Sequence, residues 1–491
     1  MVSAIPVPPA NTLWHAKMRS YDQLDHAAFA SAADDSTGLD DVLAWLEAER
    51  AEVSCELEPV PLDEIARWRT DTATGDLVHD SGRFFAIRGL DVTTNYGPVE
   101  RWSQPIIDQP EVGVLGLLVR EVRGVTQVLI QAKMEPGNIN LVQLSPTVQA
   151  THSNYDRVHG GAAPRYLEHF LAGTRDRVRV DVLQSEQGAR FLRKRNRNMI
   201  VEVIGDVPVH EGFRWLTLRQ LHRLLRLDNV VNMDLRSVLS CLQFSRWSAG
   251  MPTRSDLLAG QHSPLAHSVL APDDALHTSG ELLAWSTDAR MRYRLNTRIV
   301  PLSEVSRWQR DKWHIAHEDG LYFTVGGVAV RMASREVSGW MQPVIAPTHE
   351  GLAAMVLTSI NGVPHALMQA KLEAGNRDVV EIAPTVQCIT RNYQHLLPEE
   401  RPEHLSLVTD VAPEHVLFDA YQSEEGGRFF RQQNKYVIVE YHGDLHAVES
   451  PNHRWMSIGQ LKNLVLYSNY VNVEARSLLA CACAVIEGGN A

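Results

Sequence analysis

The stretch QAKMEPGN at residues 131–138 returns later in the chain as QAKLEAGN at residues 369–376. Other strings return at the same spacing of 238 residues, namely PTVQ at 146–149 and 384–387, and QSE at 184–186 and 422–424. Towards either end of the repeat the spacing becomes 240 residues, as for the Arg-Trp pairs at 67–68 and 307–308. The chain is therefore a divergent tandem duplication, and one kind of domain is expected twice.

The two copies share polar residues, and this bears on function. A fold alone requires only apolar periodicity, so Gln, Lys, Asn, Tyr and Arg kept at fixed offsets predict two copies of a binding site. The alternative is that these polar residues satisfy buried backbone groups in a duplicated scaffold. The sequence leaves both interpretations open.

Composition excludes several classes of protein. The 491 residues include 47 Lys plus Arg and 59 Asp plus Glu, which gives a net charge of −12 without long charged blocks and argues against nucleic-acid binding. Five cysteines without paired CxxC spacing are typical of reduced thiols and do not indicate a metal site. With neither a signal peptide nor an apolar run of about 20 residues, we expect a soluble cytoplasmic protein that does not bind membranes.

The spacing of the repeats also predicts the domain boundaries. Residues 1–38, which are rich in Ala, Asp and Ser, are expected to form a mobile tail. We expect a first repeat at 39–247, a linker rich in Gly, Ser, Pro and His at 248–278, and a second repeat at 279–491. Each repeat is long enough to bury its own core.

Within each repeat, strand patterns precede helix patterns. The predicted strands lie at 84–87, 112–119 and 125–130, at 322–325, 352–359 and 363–368, and at 199–204; helices are predicted at 42–51 and 186–198. Capping boxes at Thr217/Gln220 and Ser457/Gln460 mark two further helix starts. Strands and helices do not alternate strictly, so the predicted fold class is α+β, with a mixed-sheet domain used twice.

The densest polar cluster contains the first candidate for acid/base chemistry. If residues 128–131 form a strand, alternation places Gln131, Lys133 and Glu135 on one face. A cation and a carboxylate two residues apart can shift each other's pKa and move protons. Gln369, Lys371 and Glu373 repeat the arrangement. The alternative is a solvated sheet face with a surface ion pair.

Cations and aromatic residues supply candidates for binding. Five cations between 190 and 197, with Arg190 and Arg193 on the predicted helix, suit a pyrophosphate, and Arg428 is a counterpart in the second repeat. Each could equally belong to a solvated helical face. Trp68 and Trp308 could stack on a nucleobase, or could be core residues. His159, in an HGG stretch found only in the first repeat, could be a titrating base.

Several common catalytic motifs are absent from the sequence. It contains no GxxxxGK[ST], no GxSxG, no HExxH, and no GxGxxG after a strand. Nucleotide triphosphatases, serine hydrolases, zinc proteases and dinucleotide-binding enzymes are therefore disfavoured.

The longer strings resemble a known family. QAKMEPGN, SPTVQATHSNY and LQSEQGARFLRKRNRN, with QAKLEAGN, APTVQCITRNY and YQSEEGGRFFRQQNK in the second copy, are similar to the NDP-hexose 2,3-dehydratases of bacterial deoxysugar biosynthesis. The similarity extends from about residue 40 to 483. It implies a Nudix-hydrolase-like fold in each half, a homodimer, and two nucleotide-sugar pockets per subunit, one of them catalytic. The metal-binding glutamate box of Nudix hydrolases is missing, so neither a metal nor another cofactor is expected.

The resemblance implies a substrate, dTDP-4-keto-6-deoxy-D-glucose, and roles for particular residues. Glu135 or His159 would be the base, Lys133 would stabilise an enolate, and Tyr155 would donate to the leaving oxygen. A downstream 3-ketoreductase would consume the unstable product. The remaining residues expected to contact substrate are Trp68, Gln131, Gln149, Thr151, His152, Ser153, Asn154, Arg190, Arg193 and Arg236, and then Trp308, Gln369, Lys371, Glu373, Gln387, Thr390, Arg391, Asn392, Tyr393, Arg428 and Arg476.

Two other functions remain open on sequence grounds. Both copies could be binding modules, which would make the chain a nucleotide-sugar sensor or a scaffold for pathway enzymes. A metal-dependent nucleotide-sugar hydrolase is the third possibility, which the missing glutamate box disfavours. The sequence does not decide which repeat is catalytic, although the histidine and the richer cations of the first repeat favour that copy.

Overall fold

The structure is a computed structural model, and it describes residues 38–151, 164–171, 176–243, 264–332 and 339–488. Each repeat contributes a large mixed sheet, a smaller antiparallel sheet and flanking helices. The predicted mixed α and β architecture of two repeated domains is confirmed in this coarse form.

The first repeat contains twelve strands within its described residues. They are β1 (Cys55–Val60), β2 (Trp68–Thr70), β3 (Leu77–His79), β4 (Ala86–Thr94), β5 (Arg101–Asp108), β6 (Gly113–Val122), β7 (Val125–Met134), β8 (Val142–Ser145), β9 (Val148–Ala150), β10 (Arg177–Ser185), β11 (Arg195–Glu202) and β12 (Phe213–Thr217). The large sheet has the order β10-β11-β6-β7-β12, with β8 beside β7 and β9 beside β6. Strands β6 and β11 are parallel and the other pairs are antiparallel.

The second repeat has the same strand plan within its described residues. Its strands are β13 (Leu295–Val300), β14 (Trp308–Arg310), β15 (His314–His317), β16 (Phe323–Met332), β17 (Gly339–Pro347), β18 (Gly351–Ile360), β19 (Val363–Lys371), β20 (Glu381–Ala383), β21 (Val386–Cys388), β22 (Val416–Ser423), β23 (Gln433–Glu440) and β24 (His453–Ser457). The large sheet has the order β22-β23-β18-β19-β24. Each large sheet has seven strands, and the parallel pair is β18 with β23.

The two smaller sheets exchange their first strands. Strand β1 of the first repeat pairs with β16 of the second, and β13 of the second repeat pairs with β4 of the first. Both pairings are antiparallel and six residues long. The exchange makes the two repeats one interlocked unit.

The α-helices bury apolar stripes against the large sheets. They are α1 (Gly38–Glu52), α2 (Leu218–Leu224), α3 (Met233–Ser240), α4 (Pro264–Leu270), α5 (Ser279–Arg292), α6 (Leu405–Thr409), α7 (Ile458–Leu464) and α8 (Val473–Gly488). Helices α2 and α7 start at Thr217 and Ser457 with the predicted capping boxes. One apolar core contains residues from α3, α8 and both large sheets, so the helices join the two halves.

One secondary-structure prediction was wrong. Residues 186–198 are not helical: 186–194 form a loop and 195–202 form β11, which is paired on both sides by β10 and β6. Arg193 has a φ of 51°, in the left-handed region that interrupts a helix. The predicted linker contains α4 in its second half, where Leu265 and Ser268 are each 1% exposed and the Ser268 hydroxyl accepts a hydrogen bond from the Gly459 N–H.

Within the described residues, no helix is long and apolar enough to cross a membrane.

Candidate active site

A cavity of about 1240 Å³ contains the polar cluster of the first repeat. Its wall includes Lys133 at the end of β7 and Glu135 just after it. The second repeat contributes Glu425, Gly427 and Arg428 to the same wall. The cavity is therefore built from both halves of the chain.

Lys133 and Glu135 are held together by Gln149. The Lys133 Nζ lies 3.8 Å from the Glu135 Oε1 and donates a hydrogen bond of 3.1 Å to the Gln149 carbonyl. The Gln149 Nε2 donates to the Glu135 Oε1 at 2.8 Å. The Lys133 side chain is 21% exposed and that of Glu135 is 8% exposed. Because both groups are partly withdrawn from solvent and face a cavity, a solvated surface ion pair is not a sufficient description.

The second repeat reproduces this arrangement. The Lys371 Nζ donates to the Gln387 carbonyl at 3.2 Å, and the Gln387 Nε2 donates to the Glu373 Oε1 at 3.0 Å. Burial raises the pKa of Glu373. Burial would lower the pKa of Lys371, but the nearby Tyr96 and Glu373 raise it above its ordinary value. The conserved polar spacing therefore corresponds to two similar sites.

Interlocked glycine turns bring a loop of each repeat to the site of the other. The Gly137 N–H donates to the Gly426 carbonyl at 2.8 Å, and the Gly375 N–H donates to the Gly188 carbonyl at 2.6 Å. A Cβ on Gly137 would lie 1.7 Å from the Phe429 carbonyl oxygen, so only glycine fits this approach. Residues 425–428 consequently lie at the first site, and residues 187–190 lie at the second.

Six carboxyl groups line the first cavity: Glu49, Glu135, Glu186, Glu211, Asp234 and Glu425. The pKa of Glu186 is raised to about 7. Burial is the main cause and the neighbouring Glu425 adds to it, while Arg476 and Lys194 act in the opposite direction. Burial also raises the pKa of Asp234 well above its usual range. Glu186 and Asp234 can therefore hold protons near neutral pH, as acid/base catalysis requires.

Cations and an aromatic wall accompany the carboxyls. Burial lowers the pKa of Lys194 to about 8, although Glu186 opposes that shift. The Arg428 guanidinium lies over the Phe85 ring at 4.6 Å from its centroid. Trp68 packs on Phe85 with ring centroids 4.7 Å apart. A nucleobase and a diphosphate could thus meet an aromatic face and cations in one cavity.

The structure brings several predicted residues together. Trp68, Lys133, Glu135, Gln149, Thr151 and Arg428 all line the first cavity, whereas Gln131 does not. Five predicted residues of the first repeat lie outside the described residues: His152, Ser153, Asn154, Tyr155 and His159.

Glu373, Gln387 and Tyr393 of the predicted residues in the second repeat interact with Lys371. Thr390, Arg391, Asn392 and Tyr393 form a single 3₁₀ turn. Burial raises the pKa of the Tyr393 hydroxyl, and Lys371 acts in the opposite direction. The Gln369 side-chain amide donates to the Tyr96 hydroxyl at 3.5 Å. Trp308 packs on Phe323 at 4.7 Å and donates its indole N–H to the Ser103 carbonyl at 3.1 Å.

Four of the predicted arginines do not line the first cavity. Arg190 belongs to the second site: its guanidinium lies 4.2 Å from the centroid of the Phe323 ring, and burial lowers its pKa to about 10 against the opposing influence of Glu373. Arg193 joins the interlocked turns through its N–H, which donates to the Gly375 carbonyl at 2.7 Å.

The other two, Arg236 and Arg476, lie in the protein interior, 0% and 1% exposed. Their guanidinium groups donate to main-chain carbonyls across the repeats, including that of Ser423 from Arg236 and that of Ser185 from Arg476. We therefore assign these two arginines to packing.

Sequence reasoning missed Asp234 and Glu425 as residues of the cavity wall. Asp234 had a detectable signal, because the second repeat has an acid, Glu474, at the corresponding position. Glu425 had none, because its counterpart Gln187 is not ionisable. Glu425 lies at the first cavity because the loop at residues 425–428 crosses to the other repeat, which the sequence does not show.

The fold and the cavity define a class of protein: a duplicated α and β chain with a buried acid/base site in a cavity suited to a nucleotide-linked substrate. Comparison with known proteins gives the family. The profile of the NDP-hexose 2,3-dehydratase family matches residues 39–242 and again residues 279–482. The chain belongs to this family.

Curated relatives agree with the profile. The chain is 47% identical over 439 residues to a dTDP-4-dehydro-6-deoxy-alpha-D-glucopyranose 2,3-dehydratase of Saccharopolyspora spinosa, which covers 89% of each chain. It is 43% identical over 468 residues to the Amycolatopsis orientalis protein of the same name, which covers 94% of each. A third protein of that name, from Streptomyces violaceoruber, is 46% identical over 442 residues, or 89% of this chain and 95% of the relative. The resemblance found from the motifs is thus confirmed.

Proposed function

We propose that this chain eliminates water across C2–C3 of dTDP-4-keto-6-deoxy-D-glucose and yields dTDP-3,4-diketo-2,6-dideoxy-D-glucose. The observation that carries the proposal is the Lys133–Glu135 pair on the wall of the large cavity. The names of the three relatives support the substrate and the reaction.

The chemistry requires three groups. The C4 ketone acidifies the C3 proton, so a carboxylate can remove it, and a cation near the C4 oxygen stabilises the enolate that forms. Glu135 is the base in this proposal, and the Lys133 ammonium 3.8 Å away is the cation. The C2 hydroxyl then departs with a proton from an acid, as water. The enol tautomerises to the diketone, and the base and acid exchange their proton to complete the cycle without any redox change.

Binding uses the rest of the cavity. We propose that the thymine stacks on Trp68 and that the diphosphate meets Arg428, whose planar guanidinium can grip phosphate oxygens in pairs. The Glu135 side chain is only 8% exposed, and its burial also limits the access of water to the enolate.

A direct assay tests the proposal. Purified protein is incubated, after chelation of metals, with dTDP-4-keto-6-deoxyglucose, a 3-ketoreductase and NADPH, which trap the labile diketone. Loss of one oxygen from the sugar, without release of dTMP or dTDP, is the expected mass change. An unchanged sugar despite tight binding would contradict the proposal and favour a sensor or scaffold. Release of nucleotide would instead indicate a hydrolase.

Variants assign the repeat and the roles. Glu135→Gln and Lys133→Ala are expected to lower kcat by about 10²- to 10⁴-fold, more than Glu373→Gln and Lys371→Ala do in the second repeat. Tyr155→Phe tests the expected donor to the leaving oxygen. Near-wild-type turnover in Glu135→Gln, Lys133→Ala and Tyr155→Phe would refute the assignment of roles.

Finer predictions accompany this function. We propose that each repeat has a Nudix-like fold, which the mixed large sheets with flanking helices support. The repeats are proposed at 39–247 and 279–491, with α4 of the predicted linker packed on the second. A cytoplasmic homodimer that serves antibiotic-type deoxysugar biosynthesis remains a prediction from the family. The reactive vicinal diketone supports a partner ketoreductase that removes it promptly.

A further inference from the structure

Among the corresponding positions at which the two sites differ in ionisable groups, two are occupied at the first site by residues that interact electrostatically with Glu186. Glu425 of the second repeat lies at the first cavity, whereas its counterpart Gln187 lies at the second site. Lys194 lines the first cavity, whereas its counterpart is Gln432. The first site thus has a carboxyl and an ammonium where the second has two neutral amides. Two groups that can exchange protons at the first site are therefore missing from the second.

The second site shows what the amide does there. The Gln187 Nε2 donates a hydrogen bond of 2.6 Å to the Glu424 Oε2. The Asn434 side-chain amide and the Tyr436 hydroxyl donate to the other oxygen at 2.7 and 2.9 Å. The Glu424 carboxylate is therefore satisfied by donors that do not need to titrate.

The first site replaces that donor with an acid. Glu186 is the counterpart of Glu424, and its Oε1 accepts from the Asn196 amide at 2.7 Å. Its Oε2 is buried and has no hydrogen-bond partner among the described residues. Glu425 corresponds in sequence to Gln187, lines the cavity with Glu186 and interacts with it electrostatically; a carboxyl can donate a hydrogen bond only while it carries a proton. A protonated Glu425 would supply the donor that the buried Glu186 Oε2 lacks.

The surroundings of Glu425 also favour a protonated state. Burial raises its pKa, and Glu135 raises it as well, while Arg428 and Lys133 act in the opposite direction. The Arg428 N–H donates to the Glu425 Oε2 at 2.7 Å. Asp234 is a further buried carboxyl that interacts with Glu186 and Glu425, and Lys194 and Arg476 face Glu186 as cations. A proton is therefore retained close to Glu135, the base of the proposed reaction.

We propose that Glu425, supplied by the second repeat, is the catalytic acid that protonates the departing C2 hydroxyl in the cavity of the first repeat, with Glu186 as the residue that positions its proton. This inference rests on the proposed dehydration, and it gives Glu425 the role of proton donor to the leaving oxygen that the family resemblance assigned to Tyr155. In the step, the C2–O bond breaks, its electrons go to the oxygen together with the proton of Glu425, and the enolate electrons form the C2=C3 bond. Glu425 then regains the proton that Glu135 took from C3, so the protein returns to its starting state.

The inference also assigns the catalytic repeat. Glu425 is present only at the first cavity, and Gln187 at the second site cannot donate a proton at neutral pH. Elimination is accordingly assigned to the first repeat, although its acid comes from the sequence of the second.

The test uses Glu425→Gln in the full chain. This change places at the first site the amide that the chain already has at the second, where it hydrogen-bonds to Glu424, so a similar bond to Glu186 is expected to maintain the fold. We expect kcat for the trapped product to fall by about 10²- to 10⁴-fold. In D₂O, the C3 proton of recovered substrate should still exchange, because Glu135 still removes it. Glu425→Asp, which keeps the acid, should recover part of the turnover.

Three results would overturn the assignment. These are turnover within threefold of wild type, loss of C3 exchange together with turnover at unchanged binding, and a tenfold or greater loss of substrate affinity. Glu399→Gln, at an exposed position of the second repeat, is the control for loss of a carboxylate. Failure of wild-type protein to eliminate water would instead reject the proposed function itself, so the two failures are distinguishable.

Discussion

Arg236 provides a quantitative test of the boundary between binding and packing. Its guanidinium donates to the Val231 carbonyl at 2.6 Å, to the Ser423 carbonyl at 2.7 Å and to the Gln422 Oε1 at 3.2 Å. Arg236→Met keeps the apolar stem but leaves these three acceptors unpaired in the interior. At roughly 1 to 2 kcal/mol for each lost bond, the free energy of unfolding should fall by about 3 to 6 kcal/mol.

Two matched variants sharpen the Arg236 experiment. Arg476→Met should be equally damaging, because Arg476 donates to the Val471 and Ser185 carbonyls at 2.6 Å each and to the Ser237 hydroxyl at 2.9 Å. Arg197→Met removes an exposed pair with Asp181 and should cost about 1 kcal/mol or less. Urea unfolding followed by tryptophan fluorescence measures all three. Unchanged stability of Arg236→Met with a tenfold loss of nucleotide-sugar affinity would refute the packing assignment.

Three further predictions concern pH, thiols and stacking. Burial lowers the pKa of His365 to about 4, and its Nε2 accepts from the Leu276 N–H. The unfolded chain therefore binds a proton at higher pH than the folded chain does. As pH falls from about 6.5 to 4, the wild type should lose up to about 3 kcal/mol of stability in urea unfolding, a loss that His365→Gln should not show. Burial raises the pKa of Cys481 to about 12 and of Cys483 to about 11, so both should resist a thiol reagent at pH 8 until urea unfolds the chain; rapid native labelling would contradict this. Trp68→Ala should weaken substrate binding by roughly 5- to 100-fold in calorimetry if the thymine stacks there, and equal affinity would exclude stacking.

The sequence correctly predicted the helix cap and the strands that are specified by residues adjacent in the chain. The Thr217 capping box occurs as predicted, with its hydroxyl accepting from the Gln220 N–H. The strands predicted at 112–119 and 125–130 are β6 and β7, since alternating or continuous apolar residues and a turn at Gly124 specify them. The helix predicted at 186–198 failed because its residues are stabilised by distant partners in β6 and β10, which no local pattern reports.

The candidate site was predictable in part for a similar reason. Lys133 and Glu135 were found because they lie on one strand end and recur in the second repeat. Glu425 was not found, because comparison at a fixed offset pairs it with Gln187, and the two residues lie at different sites. Sequence alignment of the repeats compares corresponding positions, whereas the chemistry depends on the positions that share a cavity.

The crossing of the repeats explains how the two sites could diverge without loss of the fold. The interlocking contacts are made by main-chain atoms, such as the Gly137 N–H with the Gly426 carbonyl and the Arg431 N–H with the Gly137 carbonyl. These contacts do not depend on the side chain at position 425 or 187, so a carboxyl at one and an amide at the other are accommodated by the same backbone. A single change in the loop of one repeat therefore alters the titratable groups of the site in the other repeat. The difference between Glu425 and Gln187 makes two similarly built sites chemically unequal.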